Sequence, residues 1–484
     1  MLYTIKASTH VRPVQVATRS RAYSSSRPTR AEKLVILGSG WGGYEVLRVD
    51  KKKYDVTVVS PVNYFNFTPL LASAAVGTIE FRCATEAVRR YSPNISYYQA
   101  WVDSIDFKNK TLECMPATPP PPFSHEVAGK PTNVSSTASS SPTTLTPPAP
   151  APGKAFQLPY DKLVISVGAY AQTFGIPGVK EHALFLKDVK DARLIRSRIM
   201  ECFEQANQPF ITDAQRDQLL HFCIVGGGPT GVEFAAELHD LTQTDLRKAF
   251  PHLVPHARIS VYDVAPQILG SFDAKLAKYA EQSFARERID LKTNHHVEGV
   301  EAGKLHVKEQ GVVPFGLLVW STGLAPNPLV AAISDMRKDE KTKSLVTDKY
   351  LNVLCPNGTT SDKDVWAIGD AAKSEGVALP ATAQVASQKA KYVSNTLNAL
   401  AKGKPSSKPF EFNNQGALAY LGNMTAIVDR SQATSGPKKS GTGVFAWLFW
   451  RSAYFTRTVS LRNKFLIMAY WTMTMIFGRD LTKF

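Results

Sequence analysis

Two glycine-rich motifs constrain the fold of this chain more than any other feature. They lie in KLVILGSGWGGYEVL (33–47) and HFCIVGGGPTGVEFAAEL (221–238), with motif glycines Gly38, Gly40, Gly43, Gly226, Gly228 and Gly231. Each follows a short apolar run and precedes an apolar-periodic segment. This order is typical of a strand, a tight turn and a helix whose N-terminus holds a dinucleotide pyrophosphate. One such motif can be a structural turn, but two predict an α/β protein with two Rossmann-like dinucleotide-binding domains.

The economical interpretation of two motifs is a flavin dinucleotide on one and a nicotinamide dinucleotide on the other, with hydride passing between them. The chain has 484 residues, which is long for one domain. We predict five parts, in chain order: a presequence and linker (1–31), the first part of a flavin-binding domain (32–190), a nicotinamide dinucleotide-binding domain (191–345), the second flavin-binding part (346–404) and a C-terminal membrane-binding domain (405–484).

The two low-complexity segments have different compositions. Residues 1–31 contain only basic charges and many Ser and Thr residues, which is typical of a mitochondrial presequence; the alternative is a disordered basic tail. Residues 116–153 are dominated by Pro, Ser, Thr and Ala, and we predict a disordered insert between two strands.

The net charge of +16 is compatible with nucleic acid, an anionic membrane or acidic ligands as partners. The sequence has no zinc-finger spacing, basic helix or aromatic RNA-binding motif, so no nucleic acid partner is predicted. The five cysteines form no C-x-x-C pair, which argues against a disulfide framework, a metal site and a redox-active dithiol.

A specific resemblance begins after the predicted second strand, YDVTVVS (54–60). This strand ends in Ser60, where an acid usually accepts the ribose hydroxyls, and PVNYFNFTPLLASAAVG (61–77) follows. Together with LGSGWGG, this run resembles the mitochondrial branch of the type II NADH dehydrogenases, the alternative NADH:ubiquinone oxidoreductases, which also tend to carry Ser there. The resemblance extends from about Lys33 to the C-terminus, apart from the insert.

The resemblance implies a disulfide-reductase-like flavoprotein on the mitochondrial inner membrane. NADH would reduce FAD, and two electrons would pass to ubiquinone without proton pumping. It implies that FAD is bound by Gly38, Gly40, Gly43, Ser60, Thr68, Gly168, Gly369, Asp370, Ala383 and Gln384.

The second nucleotide site is predicted to hold NADH. The strand ISVYD (259–263) ends in Asp263, which would accept the adenosine ribose hydroxyls and repel a 2′-phosphate, and no Arg follows, so NADH is favoured over NADPH. The predicted NADH-binding residues are Gly226, Gly228, Gly231, Asp263, Thr322 and Gly323.

Four further residues are assigned to the reaction. Glu233 can be an exposed first-turn acid, or, as the resemblance implies, a carboxyl near nicotinamide and flavin. Gln384 and Gln388 lie at i and i+4, a spacing that usually faces solvent, but they match the family's quinone-site motif. The resemblance places Tyr454 at the same quinone site.

The C-terminal segment is predicted to bind one membrane leaflet. Trp447, Trp450 and Tyr454 share a helical face, and basic residues surround them. The apolar run 465–477 covers only about 20 Å as a helix, which is less than a bilayer core of about 30 Å. An alternative for the same surface is a homodimer interface, and both can hold at once.

Two other functions stay open at this stage. A sulfide:quinone oxidoreductase shares the fold but needs paired redox cysteines beside the flavin. A protein like apoptosis-inducing factor would use NADH as a conformational signal and would not turn over steadily.

Overall fold

The structure, a computed structural model, describes residues 31–92, 94–118, 154–404, 408–458 and 460–482. Most of the predicted presequence and most of the predicted insert lie outside these ranges. The domain boundaries given above therefore stay predictions, and the fold is described from Glu32 onward.

The strands are numbered along the chain. The first group is β1 (Glu32–Leu37), β2 (Tyr54–Ser60), β3 (Tyr64–Asn66), β4 (Thr85–Ala87), β5 (Ser96–Asp106), β6 (Thr111–Pro116), β7 (Phe156–Pro159), β8 (Lys162–Ile165), β9 (Ala169–Ala171), β10 (Leu184–Phe185), β11 (His221–Val225), β12 (Arg258–Tyr262) and β13 (Asp290–Lys292). The second group is β14 (Val297–Glu301), β15 (Lys304–Val307), β16 (Gly311–Pro314), β17 (Leu317–Trp320), β18 (Leu324–Pro326), β19 (Leu345–Thr347), β20 (Asn352–Leu354), β21 (Ser361–Ala367), β22 (Ala372–Ser374), β23 (Ala417–Gly422), β24 (Thr425–Asp429) and β25 (Gly441–Gly443).

The α-helices are numbered in the same way. They are α1 (Trp41–Val46), α2 (Leu71–Ala75), α3 (Val88–Tyr91), α4 (Val179–His182), α5 (Val189–Ala206), α6 (Asp213–Leu219), α7 (Pro229–Leu241), α8 (Arg247–Ala249), α9 (Ala274–Arg286), α10 (Pro328–Ala332), α11 (Ala383–Leu400), α12 (Val444–Arg457) and α13 (Leu461–Phe477). A π-helical turn, Thr242–Leu246, continues α7 without a break.

The largest described sheet contains strands from both predicted flavin-binding parts. Its order is β22-β19-β20-β21-β8-β1-β2-β5-β6-β7. The central strands β21, β8, β1, β2 and β5 pair in parallel. The apolar run of β1 is almost fully buried, as expected for a strand with both faces covered. The predicted second strand is β2.

A second sheet has the order β10-β17-β11-β12-β13, and all of its pairs are parallel. All five residues of β11 are buried, and the strand leads directly into the second glycine motif and α7. Both predicted strand-turn-helix units therefore occur at the predicted places.

The C-terminal region consists of the small antiparallel sheet β23-β24-β25 and the helices α12 and α13. Asn463, Ile467 and Trp471 form the buried side of α13, and Trp450 is buried on α12. Both tryptophans join the same core as α1 and α7, the helices that follow the two glycine motifs. Within the described ranges, no helix has the length and apolar character that a bilayer crossing requires.

Candidate functional site

Four parallel strands bring the predicted FAD residues to one edge of the large sheet. Gly38 follows β1, Ser60 ends β2, Gly168 follows β8, and Gly369 follows β21. The carboxyl ends of adjacent parallel strands share an edge, and ligands of open α/β sheets bind in the crevice there. The residues predicted from distant parts of the sequence are therefore brought together.

The first glycine motif has the shape of a pyrophosphate cradle. Gly38 has φ +98°, and a Cβ atom there would lie 2.5 Å from the carbonyl oxygen of Ser166. A Cβ atom on Gly43 would lie 1.9 Å from the carbonyl oxygen of Gly38, whereas one on Gly40 would meet no atom within 4 Å. Two glycines thus allow close backbone packing, and Gly40 faces the open space in which a phosphate can approach the backbone. These residues fit a dinucleotide.

Two other predicted FAD residues are partly occupied by protein contacts. The buried hydroxyl of Ser60 lies 3.0 Å from that of Ser39, which also lies 2.9 Å from the carbonyl oxygen of Tyr64. Thr68 is exposed and accepts a hydrogen bond of 3.1 Å from the indole of Trp41. Ser60 keeps accepting capacity, but it cannot replace the two oxygens of an acid.

Lys187, which sequence reasoning missed, lies near Asp370. Asp370 is partly buried after Gly369, and burial raises its pKa, while the charge of Lys187 opposes that rise. Burial lowers the pKa of Lys187, and its ammonium donates to the carbonyl oxygen of Ala169 at 3.0 Å. No motif marks Lys187, because only the fold places it opposite Asp370.

The second glycine motif repeats the geometry of the first. A Cβ atom on Gly231 would lie 2.0 Å from the carbonyl oxygen of Gly226, and one on Gly228 would meet nothing within 4 Å. Asp263, after β12, accepts hydrogen bonds from the backbone N–H groups of Gly227 at 2.5 Å and Ala265 at 2.7 Å. Its carboxylate therefore closes the turn and keeps further lone pairs for ribose hydroxyls.

Thr322 and Gly323 join the two nucleotide-binding bodies. The Thr322 hydroxyl donates to the carbonyl oxygen of Gln172 at 2.7 Å, and the N–H of Gln172 donates to the carbonyl oxygen of Gly323 at 2.9 Å. Gln172 directly follows β9, which pairs with β18. The hydroxyl proton of Thr322 thus already has a protein partner. The predicted contact of Thr322 with NADH stays a prediction.

Glu233 is buried, so the interpretation as an exposed first-turn acid is wrong. Its side chain is 8% exposed, and its Oε1 accepts hydrogen bonds of 3.1 Å from the Tyr420 N–H and from the Trp450 indole. Burial raises the pKa of Glu233 to about 7, the nearby charge of Glu237 adds to the rise, and the two hydrogen bonds oppose it. A carboxyl with such a pKa can hold or release a proton at neutral pH.

An aromatic array runs from the first glycine motif to the C-terminal helices. The ring centroids of Trp41 and Phe67 are 5.2 Å apart, those of Phe67 and Tyr454 are 6.3 Å apart, and those of Tyr454 and Trp450 are 4.8 Å apart. Burial raises the pKa of Tyr454, and the charge of Glu233 adds to the rise. Tyr454 is therefore close to Glu233, and the rings of Phe67 and Trp41 connect it to the first glycine motif.

Gln384 and Gln388 each bind the backbone of the segment that leads to β23. Gln384 accepts from the N–H of Gln415 at 2.8 Å and donates to the carbonyl oxygen of Gly416 at 3.3 Å. Gln388 accepts from the N–H of Asn413 at 2.9 Å and donates to its carbonyl oxygen at 2.8 Å. Both amides thus act like strand partners of this segment, while both side chains stay partly exposed. The adjacent Ala383, the first residue of α11, is partly exposed.

All five cysteines lie in described ranges, and all are free thiols. Burial raises the pKa of Cys83 to about 11, of Cys114 to about 12 and of Cys202 to about 11, and it also raises the pKa of Cys223. Thiols with raised pKa values are poor nucleophiles. This disfavours sulfide oxidation through a persulfide at any of these four cysteines.

Comparison with known proteins places this site in a family. The model for pyridine nucleotide-disulphide oxidoreductases matches residues 32–390, and the model for the NDH2 C-terminal domain matches residues 414–480. A probable NADH dehydrogenase of Dictyostelium discoideum is 40% identical and covers 94% of this chain and 91% of its own. The chain belongs to the type II NADH dehydrogenases. This membership confirms the predicted fold class and an FAD-dependent, NADH-oxidising enzyme.

Other relatives and solved structures agree. The internal alternative NAD(P)H-ubiquinone oxidoreductase A1 of Arabidopsis thaliana mitochondria is 36% identical, over 96% of this chain and 89% of its own. The structure of NDH2 from Plasmodium falciparum in complex with NADH has a TM-score of 0.80 at 25% identity, covering 94% of this chain and 100% of that chain. The sulfide:quinone oxidoreductase of Aquifex aeolicus has a TM-score of 0.64 at 17% identity, which shows a shared fold alone.

Proposed function

We propose that this protein oxidises NADH and passes two electrons through FAD to membrane ubiquinone, without pumping protons. The observation that supports this most is the convergence at Glu233, a residue of the NADH-binding helix α7. Its carboxyl contacts Trp450 of α12, and Trp450 contacts Tyr454, which reaches the flavin motif through Phe67. The helix of the second glycine motif, the segment around the first motif and the C-terminal helix α12 therefore converge near Glu233.

FAD, when bound, would accept a hydride from NADH and deliver two electrons to the quinone. Gly38, Gly40 and Gly43 would hold its pyrophosphate, and Asp370 and Lys187 would help to bind the rest of the cofactor. Asp263 would bind the adenosine ribose of NADH.

Two electrons on a quinone require two protons, and the chain offers a carboxyl for one of them. Glu233 has a pKa of about 7 and lies beside Tyr454, away from bulk water. We assign Glu233 the role of holding a proton at the quinone side. Gln384 and Gln388 would shape that side by fixing the segment 413–416, and any contact with the quinone would be made by their half-exposed edges.

The deciding experiment separates the two half-reactions. The purified protein should show a flavin spectrum that bleaches on anaerobic addition of NADH and recovers on addition of a short-chain ubiquinone. Steady NADH oxidation with that quinone supports the proposal. A single slow reduction without turnover would instead support the signalling alternative, and a persulfide trapped on a cysteine would support sulfide oxidation.

The outer apolar face of α12 and α13 supports peripheral membrane binding. It consists of the exposed residues Val444, Phe445, Leu448, Phe449, Leu461, Phe465, Met468, Met473, Met475, Ile476 and Phe477. Trp450 and Trp471 are buried, so their indoles are not part of this face. Burying one such side chain contributes on the order of 2 kcal/mol, whereas one basic residue near an anionic leaflet contributes about 1 kcal/mol. Binding should therefore resist salt.

A pair of substitutions tests this face. Phe465→Ser with Phe477→Ser should reduce sedimentation with cardiolipin-containing vesicles and slow turnover with long-tailed quinone. Phe210→Ser is the matched control, because Phe210 is 94% exposed and lies outside the face. Unchanged vesicle binding combined with a loss of dimer in ultracentrifugation would show that the face is a homodimer interface.

We also propose that the protein acts in mitochondria, at the inner membrane. The basic, acid-free composition of residues 1–31 supports this, as do the mitochondrial relatives. Mass spectrometry of the N-terminus after import into isolated mitochondria tests it: an uncleaved chain that stays outside would contradict the proposal.

A further inference from the structure

One face of α7 carries a row of acids that are buried or, at Asp240, partly buried. Glu233 and Glu237 are 8% and 4% exposed, and Asp240 lies one turn further along. Asp245 is 8% exposed in the π-helical turn that continues the helix. Residues at i and i+4 are neighbours on a helix, so like charges at these positions repel each other. Such a row needs cations or proton donors around it.

The cation that meets this row comes from the segment after α13. Arg479 lies 2.9 Å from Asp245 and 3.5 Å from Glu237, and its side chain is only 9% exposed. Its Nε donates to the Thr78 hydroxyl at 3.0 Å, and this hydroxyl donates to Glu237 at 2.7 Å. The guanidinium is therefore built into the site, with Glu237 reached both directly and through Thr78.

Glu237 stands between Arg479 and Glu233. Besides Thr78, the Ser73 hydroxyl donates to it at 2.6 Å. Its charge acts on Glu233, one turn away, and adds to the rise in the pKa of Glu233. If the charge of Arg479 were removed, the charge of Glu237 would be less compensated and would act more strongly on Glu233.

We propose that Arg479 is a positioning residue for Glu233 and acts through Glu237. The segment that follows α13 thereby controls whether the carboxyl beside the cofactors can ionise. That this affects turnover rests on the proposed function, whereas the electrostatic link itself does not.

The groups that face Glu233 come from three elements. On α7 the neighbouring carboxyl is Glu237, on β23 Tyr420 donates its N–H, and α12 contributes the Trp450 indole and Tyr454. Arg451, also on α12, interacts with Glu237, but its guanidinium lies between the rings of Trp447 and Trp471, 4.3 and 4.5 Å from their centroids. Arg479 is thus the cation that forms ion pairs with the row, among the described residues.

The test is an infrared titration of the FAD-loaded protein, in which a protonated carboxyl gives a resolved C=O band. The band that Glu233→Gln removes belongs to Glu233. Arg479→Gln should move its titration midpoint upward by about one pH unit or more. Arg479→Lys keeps the positive charge, so its midpoint should stay close to that of the parent. Adding Glu237→Gln to Arg479→Gln should reverse the upward shift.

Arg196→Gln is the matched control. Arg196 binds the same segment by donating to the carbonyl oxygen of Asp480 at 2.8 Å. Its ion pairs are with Glu80 at 3.0 Å and with the Asp480 carboxylate at 3.8 Å, and neither acid belongs to α7. This variant should loosen the segment and leave the midpoint in place. An equal shift in Arg196→Gln, or no shift in Arg479→Gln with full flavin content, would overturn the proposal.

Two further arms complete the experiment. If Arg479→Gln does not fold, Glu237→Gln alone should lower the midpoint, and an unchanged midpoint there would overturn the proposal. Turnover against pH is measured on the same samples. A band shift without a shift of the turnover profile upholds the electrostatic link and removes the catalytic role of Glu233, whereas an altered profile with an unshifted band overturns the link.

Discussion

Replacing Glu233 by glutamine should change how the stability of the protein depends on pH. Glutamine keeps an oxygen that can accept from the Tyr420 N–H and the Trp450 indole, but it cannot ionise. The parent must place a charge in a buried site whenever the pH exceeds the folded pKa of about 7. The variant never bears that cost.

The magnitude follows from linkage. The folded pKa is about 7 and the ordinary value is 4.5, and each pH unit between them corresponds to about 1.4 kcal/mol. Below pH 4.5 both the folded and the unfolded parent hold the proton. As the pH rises from 4.5 through 7, the free energy of unfolding of the parent falls by up to about 3 kcal/mol, because the unfolded state releases the proton more easily. Between pH 5 and 8.5 the parent should therefore lose about 2 to 3 kcal/mol that the variant keeps.

Urea unfolding of the FAD-loaded proteins, followed by tryptophan fluorescence at several pH values, measures this difference. A constant offset is expected, because the new amide N–H groups need partners, so the change of the difference with pH is the decisive quantity. Glu340→Gln, at an exposed glutamate, should leave the pH dependence unchanged. If parent and Glu233→Gln differ by the same free energy at pH 5 and pH 8.5, the carboxyl does not titrate as argued.

Three further predictions concern the cofactor sites. Gly43→Ala should destabilise the fold and lower the flavin content, because its Cβ would lie 1.9 Å from a carbonyl oxygen. Gly40→Ala should keep the fold and weaken only the binding of FAD. Flavin-to-protein ratios and unfolding curves compare the two variants. Asp263→Arg should raise the ratio of kcat/KM for NADPH to that for NADH, although losing two backbone hydrogen bonds should also destabilise the turn by about 1–3 kcal/mol; an unchanged ratio would refute the assignment. Gln384→Leu or Gln388→Leu should slow quinone reduction and, in stopped flow, leave flavin reduction by NADH nearly intact; equal slowing of both would place these residues elsewhere.

The parts of the fold that depend on neighbouring residues were predictable from the sequence. Both glycine motifs occur between a strand and a helix, because apolar runs and glycine spacing are local signals. Another local signal is the capping box at Asp188, with which α5 begins.

The environment of individual site residues was not predictable, because it depends on distant segments. Glu233 is covered by Tyr420 and Trp450, which are 187 and 217 residues away in the chain. Gln384 and Gln388 look solvent-facing until the segment 413–416 pairs with them. Lys187 and Asp370 are far apart in the sequence, and only the fold brings them close together.

The basic C-terminal residues show the same limit. Composition suggested cations directed toward lipid, yet Arg479 points into the protein and pairs with Glu237 of α7 and with Asp245 of the π-helical turn. Arg451 is held between two indole rings. The charge that remains for an anionic leaflet is therefore smaller than the sequence suggests.

The ion pair of Arg479 with Asp245 closes a loop of 234 residues, and this separation governs the order of assembly. During synthesis α7 emerges long before its cation, so its acidic face must stay in water until the downstream helices arrive. Contacts of such sequence separation form late and slowly. The acids of α7 and of the π-helical turn are therefore neutralised only when the segment after α13 has folded against them. A chain without this segment would keep these carboxylates without their cation, and we expect it to fold poorly and to be degraded.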